Sequence, residues 1–153
     1  MPNATVRALD GARDADACDA IIRGLPEWFG MEQGIRDCAQ AVRSQAGFVI
    51  EEEAVVVGFL TFTTADGVAE ITWMGIGADR RRRGHGRALV DALIDRLRGD
   101  GVRRLQVKTL SAREPYEPYA ETRAFYRSMG FTEEGELDIW GPGNPAVLLS
   151  RSI

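Results

Sequence analysis

Apolar positions along the chain switch between a period of two and a period near 3.6, and the switches mark out its elements. Thr5 to Leu9 alternates weakly and predicts an edge strand. From Asp14 onward Ala17, Ile21, Ile22 and Leu25 recur at helical spacing, and the helix ends near Gly24, just ahead of Pro26. A second helix is predicted over Glu32 to Val42, with Ile35, Cys38, Ala39 and Val42 on one face and Gly47 closing the helical region. Phe48 to Glu51 and Val55 to Thr63 are β-rich and flank an acidic turn, Glu51-Glu52-Glu53. Asp66-Gly67 is a two-residue hairpin signal leading into a further strand, Val68 to Ile76.

That strand runs directly into Asp79 to Arg87, DRRRRGHGR, whose clustered guanidinium groups and two glycines predict an exposed turn. Leu89, Leu93 and Leu97, with Val90 and Ile94 beside them, then define an amphipathic helix stopped at Gly99. Arg104 to Leu110 alternates as a strand, and a strand joined through a helical crossover pairs in parallel with its predecessor. Ser111 to Pro118 is a loop, and Pro118 suits the start of a helix reaching Met129, with Gly130 as its stop. Phe131 to Leu137 and Ala146 to Ser150 are strands around the loop Gly141 to Pro145. The pattern describes one α/β domain over residues 1–153, with a mixed sheet of about seven strands. The strands are mostly antiparallel around a parallel central pair, and about four helices flank them.

The strand, glycine turn and helix at Val68 to Leu97 carry the clearest chemistry. A helix start presents unpaired N–H groups at the positive end of its dipole, an arrangement that binds phosphate. Gly84 and Gly86 let an anion approach the backbone, and Arg81, Arg82, Arg83 and Arg87 add charge-assisted donors, so a diphosphate is the expected ligand. The spacing is neither G-x-G-x-x-G nor a Walker loop. Arg81-x-x-Gly84-x-Gly86 after a strand resembles the acetyl-CoA signature of the GNAT superfamily of N-acyltransferases, and the predicted element order resembles the GNAT fold over nearly the whole chain. Ala69-Glu70-Ile71 ahead of Arg83-Gly84-x-Gly86 is similar to the histone acetyltransferase branch, which implies a carboxylate base at Glu70. A second stretch, Phe125-Tyr126 followed by Gly130-Phe131, resembles the signature N-x-x-A-x-x-F-Y-x-x-x-G-F. Tyr119 stands at its Asn position and Thr122 at its Ala position, so Tyr119 takes the place of the residue that bonds the CoA arm.

The resemblance implies acetyl-CoA as co-substrate and an amine acceptor, a small molecule or a peptide. A lysine-like amine with pKa ~10.4 is neutral in only about one molecule in 2,500 at pH 7, a penalty of roughly 4.6 kcal/mol. Glu70, directly or through water, is the candidate base if burial beside Trp73 raises its pKa. A backbone N–H among Met74, Gly75 and Ile76 is the candidate oxyanion donor, with Gly75 marking a bulge, and His85 lies inside the phosphate turn. Tyr126 is the candidate donor to the departing sulfur. Transfer from a phenol near ~10 to a thiolate near ~8.5 is uphill by about 1.5 units, which favours a hydrogen bond over full protonation. Between the first two helices and the last hairpin, where the family places its acceptor, lie Leu25, Glu27, Trp28, Phe29, Glu32, Asp138, Ile139 and Trp140. Trp28, Glu32, Asp138 and Trp140 are the candidate acceptor residues, and two indoles with three carboxylates suit a cationic amine.

Composition narrows the alternatives. The net charge is -4 with 27% charged residues, so the arginine run is a local island rather than a general nucleic-acid or membrane surface. One His and two isolated Cys, without C-x-x-C spacing, predict no metal site and buried thiols. No apolar run has the length of a membrane span and no signal-like pattern opens the chain, so a cytoplasmic location is expected. A homodimer is left open by the sequence. The competing readings are a non-catalytic acetyl-CoA sensor, which binds without turnover, and a nucleic-acid module built on Arg80 to Arg83, which binds with steep salt dependence.

Overall fold

The computed structural model describes residues 3–153. Seven strands form one sheet in the order β1-β2-β3-β4-β5-β7-β6. They are β1 (Ala4–Ala8), β2 (Ala46–Glu52), β3 (Val55–Ala65), β4 (Val68–Ile76), β5 (Arg104–Leu110), β6 (Thr132–Leu137) and β7 (Ala146–Ser152). β4 and β5 are parallel and every other neighbouring pair is antiparallel. The helices are α1 (Gly11–Arg23), α2 (Glu32–Ser44), α3 (His85–Gly99) and α4 (Glu117–Ser128). The mixed sheet with four helices is the GNAT fold.

Alternation along each strand sends side chains to two cores. On one face Leu89, Val90, Leu93, Ile94 and Leu97 of α3 and Tyr126 of α4 pack on Leu60, Phe62, Ala69, Ile71, Leu105 and Val107. On the other, Ala15, Cys18 and Ile22 of α1 and Cys38 and Val42 of α2 pack on Val49 and Phe59. Cys18 and Cys38 are free, and burial pushes both thiols up to about 12, so neither is a ready nucleophile. Asp10 caps α1 through its carboxylate. Buried Asp14 takes a bidentate pair from Arg7 at 2.8 Å, joining α1 to β1, and that pair is the main cause holding its carboxyl below the usual range.

Three differences from the sequence pattern are seen around the site. β2 continues through Glu52, and the turn is Glu53-Ala54, both at positive φ; the alternation Phe48, Ile50, Glu52 carries Glu52 to the α3 face. Gly47 lies inside β2, paired with Thr61, rather than after a helix. The bulge in β4 falls at Thr72, because Thr61 faces Trp73 while the next residue, Phe62, faces Ile71. Gly75 pairs regularly with Phe59. The Thr72 hydroxyl holds the bulge by bonding Thr61 at 2.7 Å and Gln45 at the end of α2.

Candidate active site

The parallel pairing of β4 with β5 stops early. It joins Val68–Ile71 to Arg104–Val107, and beyond these residues the two strands have no ladder between them. The splay opens a cleft of about 1020 Å³ that passes between the two faces of the sheet. Glu70 and Trp73 line it from the α1/α2 side, Phe125 and Tyr126 from the α4 side, and Gly84 to Arg87 at the start of α3. Past the splay the edge of β4 at Met74, Gly75 and Ile76 faces the cleft with no strand opposite.

The phosphate turn has a defined backbone. A 3-10 turn at Ala78–Arg80 leads to Arg82 at φ 63° and Gly84 at φ 80°, which is the N-cap of α3. Gly84 offers no side-chain cap, and the first intrahelical bond recorded at this end is from Ala88 N–H to Gly84 O. The N–H groups of His85, Gly86 and Arg87 therefore have no helical acceptor and sit at the dipole's positive end. The two glycines serve different ends. A Cβ on Gly84 would meet open space, so that residue is needed for its left-handed conformation; a Cβ on Gly86 would come within 3.2 Å of the Phe125 ring, so that residue sets the approach of α3 to α4.

The arginines around the turn also meet carboxylates of the protein itself. Arg80 and Arg83 reach the buried carboxylate of Glu52 at 2.7 and 3.0 Å, and the buried His85 ring bonds the same carboxylate. Burial alone would raise the Glu52 pKa, but the His85 and Arg83 bonds outweigh it and hold the group below its usual range. Arg81 pairs with Glu121 of α4 at 2.7 Å and lies 4.6 Å over the Trp28 ring, while Arg82 approaches Glu121 at 3.7 Å. The physical reason is that β2 and α4 bring carboxylates within reach. Arg87 makes no ion pair among the described residues and remains beside the free N–H groups.

Tyr126 is 3 % exposed and wedged between Phe125 and Phe131, with ring centroids 5.1 and 5.3 Å away in edge-on contacts. Its hydroxyl makes no bond to another described residue and is not fully enclosed, so it opens on the cleft. Burial pushes the phenol well above its ordinary pKa and keeps it protonated. Thr109 of β5 also lines the cleft, 4 % exposed, and its enclosed hydroxyl has no protein partner. Glu70 accepts from Gln106 at 2.8 Å and pairs with Lys108 at 3.2 Å, both through Oε1, and is partly exposed rather than buried against Trp73.

On the acceptor side the structure gathers some expected residues and scatters others. Trp28 lines the cleft, but its indole N–H donates to Pro118 O and Thr122 Oγ1 at 3.0 and 3.2 Å. Tyr119 also lines it, with its hydroxyl donating to Trp28 O at 2.8 Å, and Tyr116 donates to Glu27 O at 2.7 Å. These bonds tie the α1–α2 connection to α4. Trp140 joins the cleft wall. Glu32 does not; it is exposed and paired with Arg23 at 3.2 Å. Asp138 lines a separate shallow pocket of about 350 Å³ with Arg113 and Glu136. Sequence reasoning missed Glu52, Lys108 and Thr109, although strand alternation places each of them on a definite face.

Residues 15–131 match the model of the Acetyltransferase (GNAT) family, and the chain belongs to that family of acyltransferases, whose general reaction is acetyl-CoA-dependent N-acetyl transfer. Solved structures with the same fold include a GNAT-family protein from Desulfovibrio desulfuricans (19% identity, 98% of this chain and 99% of that one, TM-score 0.86). Another is the ribosomal-protein-S18-alanine N-acetyltransferase of Escherichia coli (20% identity, 99% and 94%, TM-score 0.80). A third is yncA of Salmonella typhimurium, solved with its cofactor acetyl-CoA (20% identity, 98% and 94%, TM-score 0.71). No curated protein matches the chain. Among the described residues no helix is long and apolar enough to cross a membrane, and no cluster of three metal-ligand side chains occurs.

Proposed function

We propose that the chain transfers an acetyl group from acetyl-CoA to a primary amine by direct attack in a ternary complex, with the pyrophosphate on the N–H groups of His85, Gly86 and Arg87. The observation that carries this reading is the splay of β4 from β5. It leaves an unpaired strand edge leading from the bare start of α3 to Glu70 and Tyr126. Arg87 adds a charge-assisted donor to the pyrophosphate. The pantetheine arm runs along β4, where Met74 to Ile76 offer backbone partners along the cleft wall.

In the reaction the amine nitrogen attacks the thioester carbonyl, the N–C bond forms, the C–S bond breaks, and one proton passes in net from amine to sulfur. Glu70 is the candidate to take the amine's proton. Its Oε2 has no protein partner, whereas Oε1 is held by Gln106 and Lys108, so Oε2 is the oxygen available to the amine or to a relaying water. A β4 N–H past the bulge is the oxyanion donor. Tyr126 donates a hydrogen bond to the leaving sulfur; with its phenol raised by burial, full proton transfer is further uphill than for an ordinary tyrosine. The buried, high-pKa thiols of Cys18 and Cys38 fit a mechanism without a covalent acyl-enzyme. The test is release of free CoA thiol from acetyl-CoA over a panel of primary amines. Amine-dependent release supports the reading, and tight acetyl-CoA binding with no release for any amine would leave a sensor instead.

A further inference from the structure

The acceptor end of the cleft is not acidic. Of the three carboxylates expected there, Glu32 pairs with Arg23, Asp138 lines another pocket, and Glu27 is absent from the wall. Among the charges that line the cleft, Arg81 and Arg82 are matched by Glu121 and Arg80 by Glu52, while Glu70 and Lys108 pair with each other, 3.2 Å apart and partly exposed. They project to the same face of the sheet. Glu70 stands opposite Gln106, and Lys108 is two residues further along β5, just past the last paired position, where the strands part. Around them the wall is apolar. Met31, Ile139 and Trp140 are 72 %, 51 % and 43 % exposed, three of the five large hydrophobic side chains left exposed among the described residues, and all three line this one cleft. Phe29 and Trp73 continue the surface, with ring centroids 6.0 Å apart. Exposed apolar side chains gathered at one opening mark a ligand surface rather than chance exposure.

A purely cationic amine gains little from a neutral Glu–Lys pair, because its attraction to Glu70 is offset by repulsion from Lys108. An acceptor carrying an anionic group beside its amine satisfies both. From this we infer that the acceptor is an apolar α-amino acid. Its amino nitrogen is held at Glu70, its carboxylate at Lys108, and its side chain lies against Trp73, Phe29, Ile139 and Trp140. The inference rests on the acetyl-transfer reading and names the substrate class of that site. Lys108 is here a specificity residue: its ammonium donates a charge-assisted hydrogen bond to the carboxylate while Glu70 keeps the amine facing the thioester.

The experiment compares an amino acid with its own analogues lacking the anion. Acetyl-CoA binding is first confirmed by calorimetry. Thiol release is then measured with L-phenylalanine, L-methionine and L-leucine, with phenylalanine amide and 2-phenylethylamine, and with the polyamine spermidine, on the wild type and on Lys108→Gln. The wild type is expected to prefer phenylalanine over phenylethylamine. In Lys108→Gln the ratio of their kcat/KM values is expected to fall by roughly 10- to 100-fold, the scale of a lost hydrogen bond to a charged group. Any change the substitution makes at Glu70 acts on both acceptors and cancels in the ratio. Trp140→Ala should raise KM for phenylalanine more than for alanine. A wild type that prefers phenylethylamine, the amide or spermidine would overturn the inference, as would a ratio unmoved by Lys108→Gln. Acetyl-CoA binding with amine turnover but none for any amino acid would remove the inference and leave the acetyltransferase reading standing; absence of acetyl-CoA binding would remove both.

Discussion

Replacing Tyr126 with phenylalanine separates catalysis from stability. The ring is 3 % exposed and held by Phe125 and Phe131, and phenylalanine keeps both contacts. The hydroxyl has no partner among the described residues, so no protein hydrogen bond is lost and no buried acceptor is orphaned; the folding free energy should change by less than about 0.5 kcal/mol. For a domain of this size that is under ~2 °C in Tm. Turnover should behave differently. If the hydroxyl is the donor to the departing sulfur, its removal takes away one preorganised bond to developing charge, worth roughly 100- to 1,000-fold in kcat, or about 2.7–4 kcal/mol. KM for acetyl-CoA should move little, since the bond strengthens as the sulfur becomes anionic. The assay pairs initial rates of thiol release with a calorimetric melt of each protein. A kcat within about threefold of wild type would refute the role, and a Tm drop beyond about 5 °C would show that the hydroxyl bonds the fold itself.

Other consequences can be checked alongside. Glu52→Gln removes the carboxylate that holds Arg80, Arg83 and His85. It should raise KM for acetyl-CoA ~10- to 100-fold by loosening the turn, with a much smaller effect on kcat at saturation. Gly84→Ala should cost about 1 kcal/mol through its positive φ alone, measured by denaturant unfolding, since its Cβ meets open space. Gly86→Ala should instead weaken CoA binding by displacing the Phe125 ring. Asp14 has a depressed folded pKa, so its contribution is full above the unfolded value near ~3.9 and is lost as pH falls from there through the folded value. Asp14→Asn should therefore flatten the acid side of a stability-against-pH curve, and an unchanged slope would contradict that.

What could be read from the sequence and what could not divide along contact range. Val68–Ile76 and the helix after it were legible because period two gives way to period 3.6 within a few residues, and the turn between them is dense in glycine and arginine. The parallel β4–β5 pair followed from the crossover helix. The pairing of the arginines was not legible, because Glu52 and Glu121 reach Arg80 to Arg83 from β2 and α4, far along the chain. Glu52 was hidden for a second reason. A run of three glutamates suggests a solvent turn, yet alternation through Phe48 and Ile50 turns the middle one inward. Residue type points to Gly75 for the bulge, whereas Thr72 holds it through Thr61 and Gln45, bonds that only the assembled sheet makes. The acceptor wall comes from loops, whose composition does not fix which side chains meet; Trp28 and Trp140 reach the cleft, and Glu32 and Asp138 do not.

The most direct test of the account is a two-dimensional amide NMR titration of the protein with CoA. The backbone N–H groups of His85, Gly86 and Arg87 lack helical acceptors, and a pyrophosphate seated on them should move these signals downfield more than others in the spectrum, with one equivalent saturating the change. Shifts confined to the Arg113–Asp138 pocket or spread over exposed arginines, with these three amides unmoved, would contradict the central claim that the start of α3 holds acetyl-CoA.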